Sequence, residues 1–242
     1  MQKTKPVTVI TGATKGIGLA LAKRRAAAGD RVIGLARSKT ADFPGDIVEV
    51  DLADAVATKQ AAQEILARVG NVQHLVNNVG LVRPAKLGEV KLEDLHSVLD
   101  LNLRPALQLA QAFLPAMKAA KHGRIVNISS LVVLGMPNRT AYAAAKSALI
   151  SFTRSWALEL AMDGITVNAV APGPTETELF RANNPTGSEG EKRYLAAVPM
   201  RRFATPDEIA AAIEFFFAPT SSIITGQTLY VDGGASIGKQ GQ

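Results

Sequence analysis

The feature that most constrains this chain is an alternation. Short runs of β-branched and other apolar residues recur along its whole length, separated by Ala-rich stretches with helical periodicity. The runs predict strands at Val7–Thr11, Arg31–Ala36, Ile47–Asp51, His74–Asn77, Arg124–Ser129, Thr166–Ala171 and Thr228–Val231. The stretches between them predict helices near 16–28, 54–69, 91–120, 141–162 and 206–217. Strands this uniformly apolar are buried on both faces, and connections of more than about ten residues are crossovers rather than hairpins, so the pattern specifies a parallel sheet covered by helices on both sides. The expectation is a three-layer α/β/α, doubly wound, Rossmann-like fold forming a single domain over residues 1–242. In such sheets ligands bind beyond the carboxyl ends of the strands, where the strand order reverses.

Composition removes several other readings. With 47 % hydrophobic and 20 % charged residues in 242, the chain can build a core without a covalent or metal staple. It has no cysteine, which excludes disulfides, thiolate metal sites and cysteine nucleophiles and points to a reducing, intracellular compartment. His74, His96 and His122 show no ligand spacing, so no metal is expected. The start, Met1-Gln-Lys-Thr-Lys-Pro6, lacks the apolar stretch of a secretory signal, and no run is long enough to span a bilayer. The expected setting is cytoplasmic, away from membranes. Twenty-seven basic against 21 acidic side chains give a net charge of +6, but the bases are scattered and the densest cluster, Lys23-Arg24-Arg25, falls in a predicted helix. A solvated surface helped by a phosphorylated ligand accounts for this better than a nucleic-acid partner.

The chemistry-bearing motifs follow strand ends. Thr11-Gly-Ala-Thr-Lys-Gly-Ile-Gly18 leaves the first strand and opens the first helix. Gly12 permits the sharp turn, Gly16 lets backbone approach a phosphate, and Gly18 lets the helix pack closely on the sheet. Three glycines also suit a plain turn; the place between strand and helix is what favours a nucleotide. The second strand ends at Leu35-Ala36-Arg37-Ser38, with no acid to take ribose hydroxyls, while Arg37 and Lys15 can face a 2′-phosphate. Two charge-assisted contacts of about 1.5 to 3 kcal/mol each favour NADP(H) over NAD(H) by one to several powers of ten before desolvation. Solvated surface bases are the bland alternative. After the third strand, Asp51-Leu52 can accept from an adenine amino group or cap the next helix, and in Asn77-Asn-Val-Gly80 the glycine lets a cofactor lie on bare backbone. Asn102 interrupts the apolar stripe of a long helix three residues before Pro105, a spacing suited to a kink that holds a water or to a core amide bonded within its own helix.

The sharpest constellation is Ser129-Ser130 at the end of the fifth strand, followed by Tyr142 and Lys146, four apart on one helix face. A lysine cation about 4 Å from the phenol at an effective dielectric near 20 contributes about 4 kcal/mol, which predicts a phenol pKa two or three units below its usual value near 10. Such a phenol exchanges a proton with a carbonyl or hydroxyl oxygen that a serine hydroxyl holds in place.

Taken in order, Thr11 to Gly18, Asn77 to Gly80, Asn102, Ser130, Tyr142-Ala-Ala-Ala-Lys146, Pro172-Gly173 and Val231-Asp-Gly-Gly234 resemble the short-chain dehydrogenase/reductase family, in its single-domain branch, over essentially the full length. The resemblance implies a tetrad: Tyr142 as acid and base, Lys146 lowering its pKa and holding the nicotinamide ribose, Ser130 polarising the substrate oxygen, Asn102 anchoring a relay water. It implies cofactor contacts from Gly12, Thr14, Lys15, Gly16, Ile17, Gly18, Arg37, Ser38, Asp51, Leu52, Asn78, Gly80, Tyr142 and Lys146, and carboxamide contacts from Pro172, Gly173, Thr175 and Thr177. It also implies a homo-oligomer, a tetramer or dimer. Tyr-x-x-x-Lys without a longer gap looks unlike the family's enoyl reductases. Three departures stand out. Val79 replaces the usual alanine; Ser130 precedes Tyr142 by 12 residues where 13 is usual, leaving Ser129 as the competitor; and Asp163 holds a turn position where reductases of carrier-bound substrates tend to be basic.

Residues 178–204 mix Gly, Pro and charge after the sixth strand and predict a mobile lid over the substrate, with Phe180, Arg181 and Tyr194 as contacts. The expected function is NADPH-dependent reduction of a ketone or aldehyde carbonyl, reversible as alcohol oxidation. The rival is a non-catalytic NADP(H)-sensing regulatory module, and the retained Tyr142 and Lys146 speak against it.

Overall fold

The computed structural model describes residues 5–238, apart from the side chains of Leu179 and Asn183. Its sheet has seven strands, β1 (Val7–Thr11), β2 (Arg31–Ala36), β3 (Asp46–Glu49), β4 (His74–Asn77), β5 (Gly123–Ile128), β6 (Ile165–Pro172) and β7 (Thr228–Val231), all parallel. The spatial order is β3-β2-β1-β4-β5-β6-β7, so the chain reverses direction across the sheet between β1 and β4. Five of its seven helices answer the predicted ones and two are unforeseen: the helices are α1 (Gly16–Ala27), α2 (Ala55–Val69), α3 (Leu92–Ala120), α4 (Thr140–Leu160), α5 (Glu178–Asn183), α6 (Glu189–Ala197) and α7 (Pro206–Phe215), of which α5 and α6 fall in the segment read as a lid.

The doubly wound arrangement follows from the strands having two apolar faces. Val9, Ile33, Leu75, Ile125 and Val167 point to the layer holding α2, α3 and α4, while Ile10, Val32, Val76, Val126 and Val170 point to the layer holding α1 and α7. Every residue of β1, β4, β5 and β6 is buried. The seven strands therefore lie in one three-layer α/β/α core.

Three strands differ at both ends from the apolar runs that predict them: β3 spans Asp46–Glu49, β5 Gly123–Ile128 and β6 Ile165–Pro172, because hydrogen-bond pairing with the neighbouring strand, not side-chain polarity, sets where a ladder starts and stops. Helix α4 stops at Leu160, where a tight turn, Ala161–Asp163, leads into Gly164 at φ 71°. Helix α3 runs its 29 residues through both Pro105 and Pro115. Among the described residues no helix is long and apolar enough to cross a membrane.

Candidate active site

Beyond the carboxyl end of β1 the chain turns through Gly12 (φ 62°) and Gly16 (φ 50°), backbone conformations that side chains resist. Gly18 is required more by the loop than by the sheet: a Cβ there would stand 2.4 Å from the Gly12 carbonyl oxygen and 2.9 Å from Asn78 Nδ2. The N-cap of α1 is Lys15, whose side chain caps nothing, so the first-turn N–H groups of α1 have no side-chain acceptor. Thr14 and Ile17 are half-buried beside them. Thr11 Oγ1 accepts from the backbone N–H of Asn78 at 2.8 Å and of Val79 at 2.9 Å, and Asn78 Nδ2 donates to the Thr11 and Gly12 carbonyls at 2.9 and 3.2 Å. The Asn78 side chain is thus committed to shaping the glycine loop; any effect it has on a cofactor is exerted through that loop.

At the end of β2, Arg37 and Ser38 are exposed, and no carboxylate pairs with Arg37 among the described residues. Lys15 Nζ lies 3.5 Å from Glu178 Oε2, with both side chains more than 70 % exposed, a pairing too wet to hold Lys15 strongly. Asp54, not Asp51, caps α2, accepting from the N–H groups of Val56 and Ala57. Asp51 closes a local turn on Ala53 N–H at 2.9 Å, and Arg104 fixes the buried Leu52 through its carbonyl at 2.9 Å.

Tyr142 and Lys146 occupy the first two turns of α4, with Lys146 Nζ 5.5 Å from the centre of the phenol ring. Lys146 is buried and its ammonium donates to the Ile128 carbonyl at 2.8 Å. The two serines divide cleanly. Ser129 is buried and donates to the Lys146 carbonyl at 3.0 Å, while half-buried Ser130 presents its hydroxyl to the Tyr142 phenol. Asn102 is buried and donates from Nδ2 to its own helix at Val98 O (2.8 Å) and to Leu81 O (3.0 Å), so both readings of this residue are partly met. Its Oδ1 has no partner. A Cβ on Gly80 would stand 2.9 Å from that oxygen and 3.3 Å from Lys146 Nζ, so both groups face the space that the missing side chain leaves.

The expected lowering of the phenol pKa does not hold in the protein alone. Burial pushes Tyr142 up to about 12, against the opposing effects of the Ser130 hydroxyl and the Arg139 charge. Burial likewise pulls Lys146 down to about 7. A lysine lowers the phenol pKa only as a full cation, and a buried ammonium with no counter-ion loses much of its charge near neutral pH. Arg139, the N-cap of α4 and three residues ahead of Tyr142, is the cation whose charge reaches the phenol; its only sequence signal is that spacing.

On the far side, Pro172 ends β6 and Gly173 packs against Asp232, whose Cα a Cβ there would meet at 2.7 Å. Asp232 accepts from the N–H groups of Gly234 (2.9 Å) and Ser236 (2.8 Å), so the Val231 to Gly234 motif is a backbone brace behind Gly173. Thr175 donates to the Gly173 carbonyl at 3.0 Å, and Thr177 caps α5 with its methyl over Gly16. In the segment that follows, Phe180 packs edge-on against Tyr194 (5.3 Å) and Phe203 (4.8 Å). Arg181 pairs with Glu176 at 2.7 Å and with Glu191, so it is held within the segment and not free for a substrate. The Tyr194 hydroxyl lies 4.0 Å from Met136 Sδ, in the turn before α4.

These features suit a dinucleotide laid along the strand ends: uncapped N–H groups at α1, bare backbone at Gly12, Gly16 and Gly80, an Arg37 without a counter-ion, and the open Asn102 oxygen beside Lys146. Among the described residues no three His, Asp or Glu side chains gather as a metal site.

A family model described as Enoyl-(Acyl carrier protein) reductase matches residues 12–236. The chain is 38 % identical over 237 residues to the 3-oxoacyl-[acyl-carrier-protein] reductase FabG of Vibrio cholerae, covering 94 % of this chain and 96 % of that one, and equally to the enzyme of that name from Escherichia coli K12. Among solved structures it is similar to a short chain dehydrogenase/reductase family protein (TM-score 0.88, 35 % identity, covering 98 % and 100 % of the two chains). It is also similar to the ligand-free aldohexose dehydrogenase of Thermoplasma acidophilum (TM-score 0.90, 32 % identity, covering 98 % and 96 %).

Proposed function

The chain belongs to the short-chain dehydrogenase/reductase family, and from that premise we propose that it reduces a ketone or aldehyde carbonyl to an alcohol with NADPH, Tyr142 giving the proton. The observation that carries this is a run of contacts: Ser130 reaches the Tyr142 phenol, Lys146 lies against the same ring, and Lys146 and the open Asn102 oxygen both face the bare backbone of Gly80. The relatives' names support the same class of chemistry, since a 3-oxoacyl reductase and an aldohexose dehydrogenase both interconvert a carbonyl and an alcohol. The four-residue Tyr142–Lys146 spacing favours a carbonyl over an enoyl substrate.

The Gly12 to Gly18 loop, Arg37 and Lys146 would hold NADPH, which would supply the hydride. Ser130 hydrogen-bonds the substrate oxygen and Tyr142 O–H protonates it as negative charge develops. A phenol pushed up to about 12 is fully protonated at neutral pH, so the resting site is set as an acid. Reduction takes up that proton and alcohol oxidation returns it, so oxidation gains on reduction as pH rises. Lys146, buried against Ile128 O, fixes the phenol's surroundings and restores a positive charge when an anionic cofactor raises its pKa. The open Asn102 Oδ1 offers an acceptor for a water that passes the proton on. Residues 178–204 close the substrate side. Asp163 is consumed by Lys118 (3.2 Å) and Lys121 (2.8 Å), which leaves that turn little to offer an acidic carrier protein and favours a small-molecule substrate.

NADPH oxidation over a panel of ketones and aldehydes tests this. Tyr142→Phe should lower kcat about 10²- to 10⁴-fold with NADPH affinity within about threefold of wild type. Undiminished turnover by that variant removes the assigned acid.

A further inference from the structure

We propose that the carbonyl substrate carries a carboxylate, and that Arg139 binds it; the inference rests on the carbonyl-reductase reading above. Arg139 stands at the N-cap of α4, three residues ahead of Tyr142 and near enough for its charge to act on the phenol. The turn carrying it is held rigidly. Asn138 sits in the left-handed region at φ 62°, its carbonyl accepts from Ala85 N–H at 3.2 Å, and Ala85 and Arg139 form a one-residue parallel bridge to the segment that leaves Gly80.

Arg139 is half-buried, yet its one hydrogen bond is from Nη1 to the carbonyl of its own neighbour Asn138 at 3.2 Å, and no carboxylate pairs with it among the described residues. Two arginines of the lid are held by acids: Arg181 by Glu176 and Glu191, and Arg202 by Glu208 at 2.6 Å. Arg193 and Arg201 have no acidic partner among the described residues, but both are exposed to water, whereas Arg139 is half-buried. A guanidinium kept partly dry beside a reactive group, with no acidic partner among the described residues, is built for an anion that arrives from outside, and its planar fork fits a carboxylate through two parallel bonds. Met136, three residues before Arg139 in the same turn, has the Tyr194 hydroxyl 4.0 Å from its sulfur, which ties the lid to the turn that carries Arg139. The class indicated is a free oxo acid, reduced to the hydroxy acid.

A bidentate charge-assisted pair is worth about ten- to hundredfold in affinity. The test uses pyruvate, acetoacetate and levulinate, each beside its methyl ester, with NADPH. Wild type should show kcat/KM at least tenfold higher for one of the acids than for its ester, carried in KM, and Arg139→Gln should collapse that ratio toward one while Arg139→Lys keeps part of it. The ratio within one variant is insensitive to any general loss of activity or folding. Equal use of acid and ester by wild type, or an acid preference that survives in Arg139→Gln, overturns the carboxylate subsite and leaves carbonyl reduction standing. Turnover of neutral ketones alone does the same. Absence of NADPH oxidation with every carbonyl tried overturns both readings.

Discussion

Two buried polar clusters lie at opposite ends of the same sheet, and they are completed to different degrees. At the amino ends of the strands, Thr8, His74, Arg124 and Thr166 form one register row across β1, β4, β5 and β6. There Asp30 takes both arms of Arg25 at 2.9 Å and a hydrogen bond from Thr8, whose oxygen is 2.8 Å from His74 Nδ1. The His74 ring stacks on Phe217 at 4.4 Å, and Glu214 closes the outer side of Arg25 at 3.1 Å. Further along the row, Arg124 Nε and Thr166 Oγ1 go without partners, but the charge of Asp30 is fully answered. At the carboxyl ends the charged groups stay open: Lys146 meets one carbonyl and no acid, Asn102 Oδ1 meets nothing, and Arg139 meets only backbone. The first cluster spends its charges on the fold, and the second keeps them for a ligand.

Swapping damage between the two ends should therefore separate stability from activity. The largest effect is expected for Lys146→Met, with turnover down about 10²- to 10⁴-fold and yet a higher unfolding temperature at pH 6. The sign follows from a folded pKa of about 7 below the unfolded value of 10.5: the buried ammonium costs stability in full below pH 7, and the cost fades as pH rises toward 10.5. Calorimetry at pH 6 and pH 10 checks it, since the variant's advantage should shrink at the higher pH. Asp30→Ala should do the reverse, costing about 3 kcal/mol in denaturant unfolding by taking the shared acceptor from Thr8 and His74 and leaving Arg25 with Glu214 alone, with kcat/KM of the surviving folded protein unchanged.

A smaller effect should appear on acidification. Burial lowers the His74 pKa below its usual 6.5 despite the opposing Asp30, so stability starts to fall as pH drops below about 6.5. Asp30 is held at about 2 by His74, Arg25 and Thr8 against the cost of burial, so its contribution of about 2 kcal/mol is present above pH 4 and lost between pH 4 and 2. Urea midpoints across that range should fall in two stages, and His74→Gln should remove the upper one. The smallest effect is expected for Arg37→Ala, about tenfold weaker NADPH binding with NADH binding unaltered, measurable by fluorescence titration.

The sequence makes one of these ends far more legible than the other. The glycine loop, Ser130, Tyr142 and Lys146 are readable because phosphate cradling and proton transfer each admit few residue types at few spacings; the loop follows β1 and Ser130 follows β5, with β4 between them and with Tyr142 and Lys146 on α4. The Thr8–Asp30–His74 cluster carries no such motif; it exists only once β1 and β4 lie side by side. Burial explains the reversed proton affinities of Tyr142 and Lys146, since desolvation depends on the finished packing and not on a four-residue spacing. Helices α5 and α6 hide behind Gly and Pro, although Ser188 capping Glu191 N–H at 3.2 Å is a local pattern that a closer reading of the segment finds. Arg139 is visible as a residue, but its lack of a counter-ion is a property of the whole fold.

The segment holding α5 and α6 leaves and rejoins the body at one place, where Glu176 N–H donates to the Ala204 carbonyl at 2.8 Å and Ala204 N–H donates to the Pro174 carbonyl at 3.0 Å. Its own aromatic stack and Arg181 pairings hold it together between those points. It is in effect a cassette on a backbone hinge pin, which a lineage can recut or exchange for another of different length while the strands beneath, and the reaction they position, are inherited unaltered.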